Sequence, residues 1–170
     1  HRVICNLPAN HVGCLTDICG NALIDGGTIV FMDRFDPMGV VECIDRERIT
    51  MLGALPLMHQ AIFDAADHAG RELRSLRAVL WGGAPMPIGL LQRVAQRGRF
   101  LSSHYGLTEG GSINSISRPG SDLDTLAGTI GWPDSDHEYR VVDAAGADVA
   151  VGEVGEIRIR GAGVMLGYLN

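Results

Sequence analysis

Two short apolar runs, residues 78–81 and 99–103, flank a segment with helical spacing at residues 87–96, and each run leads into a loop rich in small residues. A strand, a helix and a second strand of these lengths make a βαβ unit. Such crossovers are nearly always right-handed, so the two strands lie parallel. Both loops then leave the carboxyl edge of one sheet, where open α/β folds bind ligands. The first loop is Gly82-Gly83-Ala84-Pro85, which puts no large side chain over its backbone. The second is His104-Tyr105-Gly106-Leu107-Thr108-Glu109-Gly110-Gly111, read as a turn that gathers an aromatic ring, a hydroxyl and a carboxylate.

The alternation continues on the amino-terminal side. Residues 2–7 are apolar and stop at Pro8, after which Val12, Leu15, Ile18, Cys19, Ala22 and Leu23 recur at helical spacing until Gly26-Gly27. Residues 28–32 are β-branched and apolar, Asp36-Pro37 has the order of a cap and first turn, residues 49–55 read as a strand, and Pro56 opens another helix. Strand alternating with helix predicts an α/β layer, a mostly parallel sheet flanked by helices, over residues 1–127. Residues 114–127 are rich in Ser, Asp, Arg and Gly and predict a long surface loop. Residues 138–142 and 156–160, the latter alternating charge with Ile, predict a small antiparallel β section within residues 128–170.

Composition narrows the function. With 46% hydrophobic and 20% charged residues, the 170-residue chain has ample material for the core of a soluble globular protein. A net charge of -6 and the lack of any basic tract exclude a nucleic-acid partner. No apolar run reaches the roughly 18 residues that span a bilayer, so a cytoplasmic location is expected. Cys5, Cys14, Cys19 and Cys43 form no Cys-x-x-Cys pair and have apolar neighbours, which predicts buried reduced thiols rather than a metal site. All 14 basic residues are arginines, so an ammonium group must come from elsewhere if the chemistry needs one.

The loop chemistry suits a nucleotide. A tyrosine ring at position 105 can stack on a purine, Thr108 can donate to a phosphate oxygen, and Glu109 can hold a divalent cation that bridges to phosphates. The glycines at 82 and 83 can cradle a flat base. His11, at a loop-to-helix junction, is a candidate pocket wall, and His104 can contribute to a base pocket. His59, His68 and His137 read as structural, and no spacing among the histidines suggests a metal cluster.

The ordered set Leu7-Pro8-Ala9-Asn10-His11, Phe35-Asp36-Pro37, Gly82-Gly83-Ala84-Pro85, Tyr105-Gly106-Leu107-Thr108-Glu109 and Gly155-Glu156-Ile157, with Arg160-Gly161 and Gly167-Tyr168-Leu169-Asn170, resembles the AMP-binding superfamily of acyl-CoA synthetases, luciferases and peptide-synthetase adenylation domains. The resemblance runs over essentially the whole chain and covers the middle and later part of that family's large N-terminal domain. It implies that Tyr105 stacks on adenine, with Gly106 and Leu107 beside it. It further implies that Gly82, Gly83, Ala84 and Pro85 line the adenine and acyl pocket, that Thr108 contacts phosphate and that Glu109 binds magnesium. His11 matches the pocket-wall position near the acyl group. The implied reaction uses ATP, Mg2+ and coenzyme A to activate a carboxylic acid as an acyl-adenylate and pass it to the thiol.

In family members that activate amino acids, an aspartate beside the wall position commonly holds the substrate ammonium. Here Val12 follows His11 and cannot pair with a cation, which favours a fatty or aryl acid. Met58, Ser112 and Ile113 are expected to line the acyl pocket. The family's lysine-bearing phosphate loop is expected before His1, and its ribose-binding motif and C-terminal lid after Asn170. The chain therefore reads as a fragment of an acyl-CoA ligase, inactive on its own, whose exposed flank suits a homodimer. The alternatives are a non-catalytic nucleotide- or acyl-binding module and a peptide-synthetase adenylation domain.

Overall fold

The computed structural model describes residues 1–169. Seven strands form one sheet in the order β2-β1-β3-β4-β5-β6-β7. Its first five members, β1 (Arg2–Cys5), β2 (Thr28–Phe31), β3 (Met51–Ala54), β4 (Ala78–Gly82) and β5 (Phe100–Leu107), pair in parallel. The strands β6 (Ser112–Ile116) and β7 (Trp132–Pro133) add antiparallel at the β5 edge. The fold is thus the expected α/β layer with a mostly parallel sheet. A separate antiparallel pair, β8 (His137–Val142) and β9 (Glu156–Gly161), makes the small β section.

Side-chain alternation along β1 feeds two cores. Ile4 joins Leu52, Val79 and Trp81 in the larger one, packed under α2 (Pro37–Glu47), α3 (Pro56–His68) and α4 (Ile88–Ala95). Val3 and Cys5 point to the other face, against Cys14, Ile18, Cys19 and Ala22. The first three come from a π-helix, Gly13–Gly20, and Ala22 from α1 (Asn21–Ile24), into which it runs. The predicted start of α2 is real: Asp36 Oδ2 accepts from the Gly39 N–H at 2.8 Å, with Pro37 in the first turn.

Three expectations are corrected. First, Tyr105, Gly106 and Leu107 lie in β5 rather than in a turn, because β6 pairs along them and extends the strand to Leu107. The turn proper is a single 3-10 turn, Thr108–Gly110. Second, residues 114–127 are only in part a surface loop: Asn114, Ser115 and Ser117 are buried, α5 (Leu123–Gly128) closes the segment, and the mostly exposed turn is confined to residues 118–122. Polar composition misleads there because the two buried hydroxyls are satisfied inside: Ser115 Oγ donates to the Ile130 carbonyl at 2.5 Å, and Ser117 Oγ accepts from the Ser103 N–H at 2.9 Å. Third, Cys5 and Cys14 are joined as a disulfide, which leaves Cys19 and Cys43 as buried thiols. The end of β1 and the first turn of the π-helix meet face to face, a pairing that no Cys-x-x-Cys spacing announces.

The small sheet is tied to the large one. Tyr139 of β8 donates its hydroxyl to the Asn114 carbonyl at 2.7 Å and also bonds Asp134. No helix among the described residues is long and apolar enough to cross a membrane.

Candidate active site

The carboxyl ends of β3, β4 and β5 open on one side of the sheet, and the chain after β1 returns there through His11 into the π-helix. Between them lies a cleft of about 410 Å³, in the size range of small-molecule sites. It brings together His11 and Val12 from one wall, Gly82 and Gly83 from the end of β4, and His104, Tyr105, Gly106, Leu107, Thr108 and Glu109 from β5 and its turn. Ser112 and Ile113 complete the floor from the start of β6.

Three expected residues are not among those lining the cleft. Met58 sits in the first turn of α3, and Leu55, just before that helix begins, takes the rim position instead. Ala84 and Pro85 are exposed, beyond the point where Gly83 turns the chain with φ +77. That positive φ is what favours glycine at this corner, since the nearest obstacle to a Cβ, Leu55 Cδ2 at 2.7 Å, is the end of an exposed side chain that can move.

Gly106 meets a second requirement. A side chain there would collide with the Ser112 carbonyl, where β5 and β6 slip register between Tyr105 and Gly106. Such a bulge re-aims the neighbouring side chains, and bulges concentrate next to binding sites. Ser112 itself has φ 144, a region that few residues other than glycine occupy.

The titratable groups divide by environment. Burial pushes the His104 imidazole down to about 4, so it stays neutral at pH 7, with Nε2 3.0 Å from Ser102 Oγ. His11 Nδ1 accepts from the Gly13 N–H at 3.0 Å, which leaves Nε2 as the ring's donor. The Tyr168 hydroxyl donates to Glu109 Oε1 at 2.7 Å and holds that carboxyl below the usual glutamate range. Half-exposed, with one hydroxyl as its side-chain partner, Glu109 suits a hard cation that keeps most of its waters.

The sequence reading missed Asp17 and Tyr168. Asp17 lines the cleft one helical turn after Gly13. That spacing, a single carboxylate on an apolar helix beside His11, is the signal that could have found it. Tyr168 reaches Glu109 because residues 162–169 fold back along the 3-10 turn, with the Met165 N–H donating to the Glu109 carbonyl at 2.9 Å. That contact spans 59 residues and leaves no local trace in the sequence. Asn170 of the last motif lies outside the described residues.

Comparison with known proteins agrees with this geometry. The sequence model of a family described as AMP-binding enzyme matches residues 1–169. Feruloyl-CoA synthase from Amycolatopsis sp is 33% identical over 98% of this chain and 34% of its own length. Indoleacetate--CoA ligase from Aromatoleum aromaticum is 33% identical over 99% of this chain and 33% of its own. Among solved structures, o-succinylbenzoate coenzyme A synthetase from Bacillus subtilis in complex with ATP and magnesium ion superposes with a TM-score of 0.82 at 29% identity. That match covers 99% of this chain and 34% of the other. The chain thus spans about a third of the length of the relatives it matches.

Proposed function

The chain belongs to the family of AMP-binding enzymes, and from that premise we propose that it is the nucleotide- and acyl-pocket segment of an ATP-dependent acyl-CoA ligase acting on a fatty or aryl acid. The observation that carries this reading is one cleft that holds Tyr105, Thr108 and Glu109 on one side and His11 and Val12 on the other. A nucleotide and an acid laid in from opposite walls would meet within it.

The reaction has two displacements. A substrate carboxylate oxygen attacks the α-phosphorus of ATP and pyrophosphate leaves, giving an acyl-adenylate. The coenzyme A sulfur then attacks the acyl carbonyl carbon, loses its proton to solvent or base, and AMP departs. The protein mainly supplies position and charge neutralisation. Tyr105 stacks on adenine against the backbone of Gly82 and Gly83, with Ala84 and Pro85 at the outer rim. Thr108 donates to a phosphate oxygen. Glu109 would hold the magnesium ion that offsets phosphate charge through Oε2, the oxygen that Tyr168 leaves open. Neutral His104 closes the base pocket, while His11, Val12, Ser112 and Ile113 face the acyl group.

Val12 offers no anion for an α-ammonium, which supports acids without an amino group over amino acids. We read the setting as cytoplasmic. Exposed Leu23, Ile24 and Phe31 near the β2 edge offer a surface for a homodimer, a reading that light scattering showing a monomer would remove. The ligase reading is tested by incubating the full-length protein with ATP, magnesium and single acids in hydroxylamine. Acyl-hydroxamate from a fatty or aryl acid is the expected product, and hydroxamate from amino acids alone would replace this reading with a peptide-synthetase one.

A further inference from the structure

The cleft contains a carboxylate that the reaction above does not use. Asp17 lines it from the π-helix, and its two oxygens have different surroundings. Oδ1 takes the Ser112 hydroxyl and lies 2.9 Å from Thr16 Oγ. Oδ2 has no hydrogen-bond donor among the described residues. It faces the space over Gly13, where a Cβ would stand 3.6 Å from Oδ2 and 3.2 Å from His11 Nδ1. The missing side chain at position 13 therefore leaves an opening between the histidine and the free carboxylate oxygen.

The rest of that wall is apolar. Val12 and Ile18 border Asp17 along the helix, a Cβ on Gly53 would stand 3.6 Å from Ile18 Cδ1, and Ile113 lies across from them. No arginine lines the cleft, so the basic group nearest the carboxylate there is His11. Burial accordingly raises the Asp17 carboxyl above the usual aspartate range, partly offset by the Thr16 hydroxyl and by His11. An acceptor left open in an apolar wall favours a ligand that brings a donor and disfavours one that brings a second anion.

Resting on the ligase reading, we propose that Asp17 sets acyl selectivity, its Oδ2 accepting a hydrogen bond from a hydroxyl on the acyl chain and repelling acids that carry a second carboxylate. The strained backbone at Ser112 belongs to this device, because its hydroxyl occupies Oδ1 and leaves Oδ2 for the ligand. A hydroxylated acid fills the opening over Gly13, whereas its deoxy counterpart covers Oδ2 without giving it a donor.

The test is pyrophosphate exchange by the full-length protein on matched acids: cinnamate, 4-hydroxycinnamate and 4-carboxycinnamate, with octanoate and 8-hydroxyoctanoate as the aliphatic pair. The hydroxylated member of the pair that turns over should be preferred by about 10- to 100-fold in kcat/KM, the range expected for a hydrogen bond to a charged group. Asp17→Leu should bring that preference close to one, and Asp17→Asn should raise use of the diacid relative to cinnamate by about 10-fold. Ratios within one variant do not depend on how much of it folds. If Asp17 served only to hold Ser112, Asp17→Leu would slow both members of a pair equally. An unchanged ratio with exchange intact overturns this proposal and leaves the ligase standing. Absence of exchange with every acid overturns both.

Discussion

Acid should destabilise this fold through His59 before most carboxylates titrate. His59 is fully buried on α3, its ring stacked 5.9 Å from Phe63, with Nε2 donating to the Leu80 carbonyl at 2.8 Å. Its Nδ1 is buried without a partner, so a proton placed there would add charge where nothing accepts it. Burial accordingly lowers its pKa to about 4, from an ordinary value near 6.5. For a depressed pKa the stabilisation is complete above the unfolded value and is lost as pH falls towards the folded one, here between about 6.5 and 4. Going from pH 7 to 5, linkage gives a loss of about 1.8 kcal/mol from this residue, a large share of a stability that is typically about 5–15 kcal/mol. Asp17, whose carboxyl is raised by burial, contributes with the opposite sign, over the interval that opens upward from its ordinary value. Urea unfolding at both pH values, for the natural chain and for His59→Leu, isolates the effect. The variant loses a baseline amount by orphaning the Leu80 carbonyl, but its pH-dependent loss should be smaller by about 1.8 kcal/mol. Equal losses in the two proteins, or an NMR midpoint for His59 near 6.5, would refute the reasoning.

Three further outcomes are expected. After unfolding without reductant, the chain should expose two alkylatable thiols, Cys19 and Cys43, and four after reduction; four without reductant would contradict the Cys5–Cys14 bond. Closing that nine-residue separation should contribute about 2–3 kcal/mol against urea in the oxidised protein. Tyr168→Phe should move the Glu109 carboxyl back up towards the ordinary glutamate range, read by carboxyl-carbon NMR, because the Tyr168 hydroxyl is the first cause of its depression. In the natural chain this tie is in place above the ordinary glutamate pKa and lost as pH falls through the lowered one, so an unchanged midpoint would dismiss it. Asp36→Ala should cost about 1 kcal/mol by uncapping α2, while Asp36→Asn should cost far less.

What the sequence made legible was what local patterning controls. The parallel core followed from alternating apolar strands and helices, and the α2 start from Asp36-Pro37. The convergence of the β4 and β5 ends followed from one βαβ crossover. What stayed hidden depended on contacts far apart in the chain. The buried Ser115 of β6 and Ser117 just after it looked like loop residues because their satisfaction comes from Ile130 and Ser103, which composition does not reveal. Cys5 and Cys14 meet only because two elements pack across the sheet face. Tyr168 meets Glu109 through a return of the chain. Met58 lies about one turn beyond Leu55 on α3, which begins at Pro56 as expected, and the side that the helix turns to the cleft is not set by local pattern.

The measurement that bears most directly on the proposed function is magnesium-dependent exchange of labelled pyrophosphate into ATP. It uses the full-length protein with fatty, aryl and amino acids, beside Glu109→Ala. The account predicts exchange with a fatty or aryl acid that falls by about 100-fold or more in the variant, the scale seen when a group that neutralises charge in the transition state is removed. A folded protein that binds ATP but exchanges with no acid, or a Glu109→Ala variant as active as the natural chain, would contradict it.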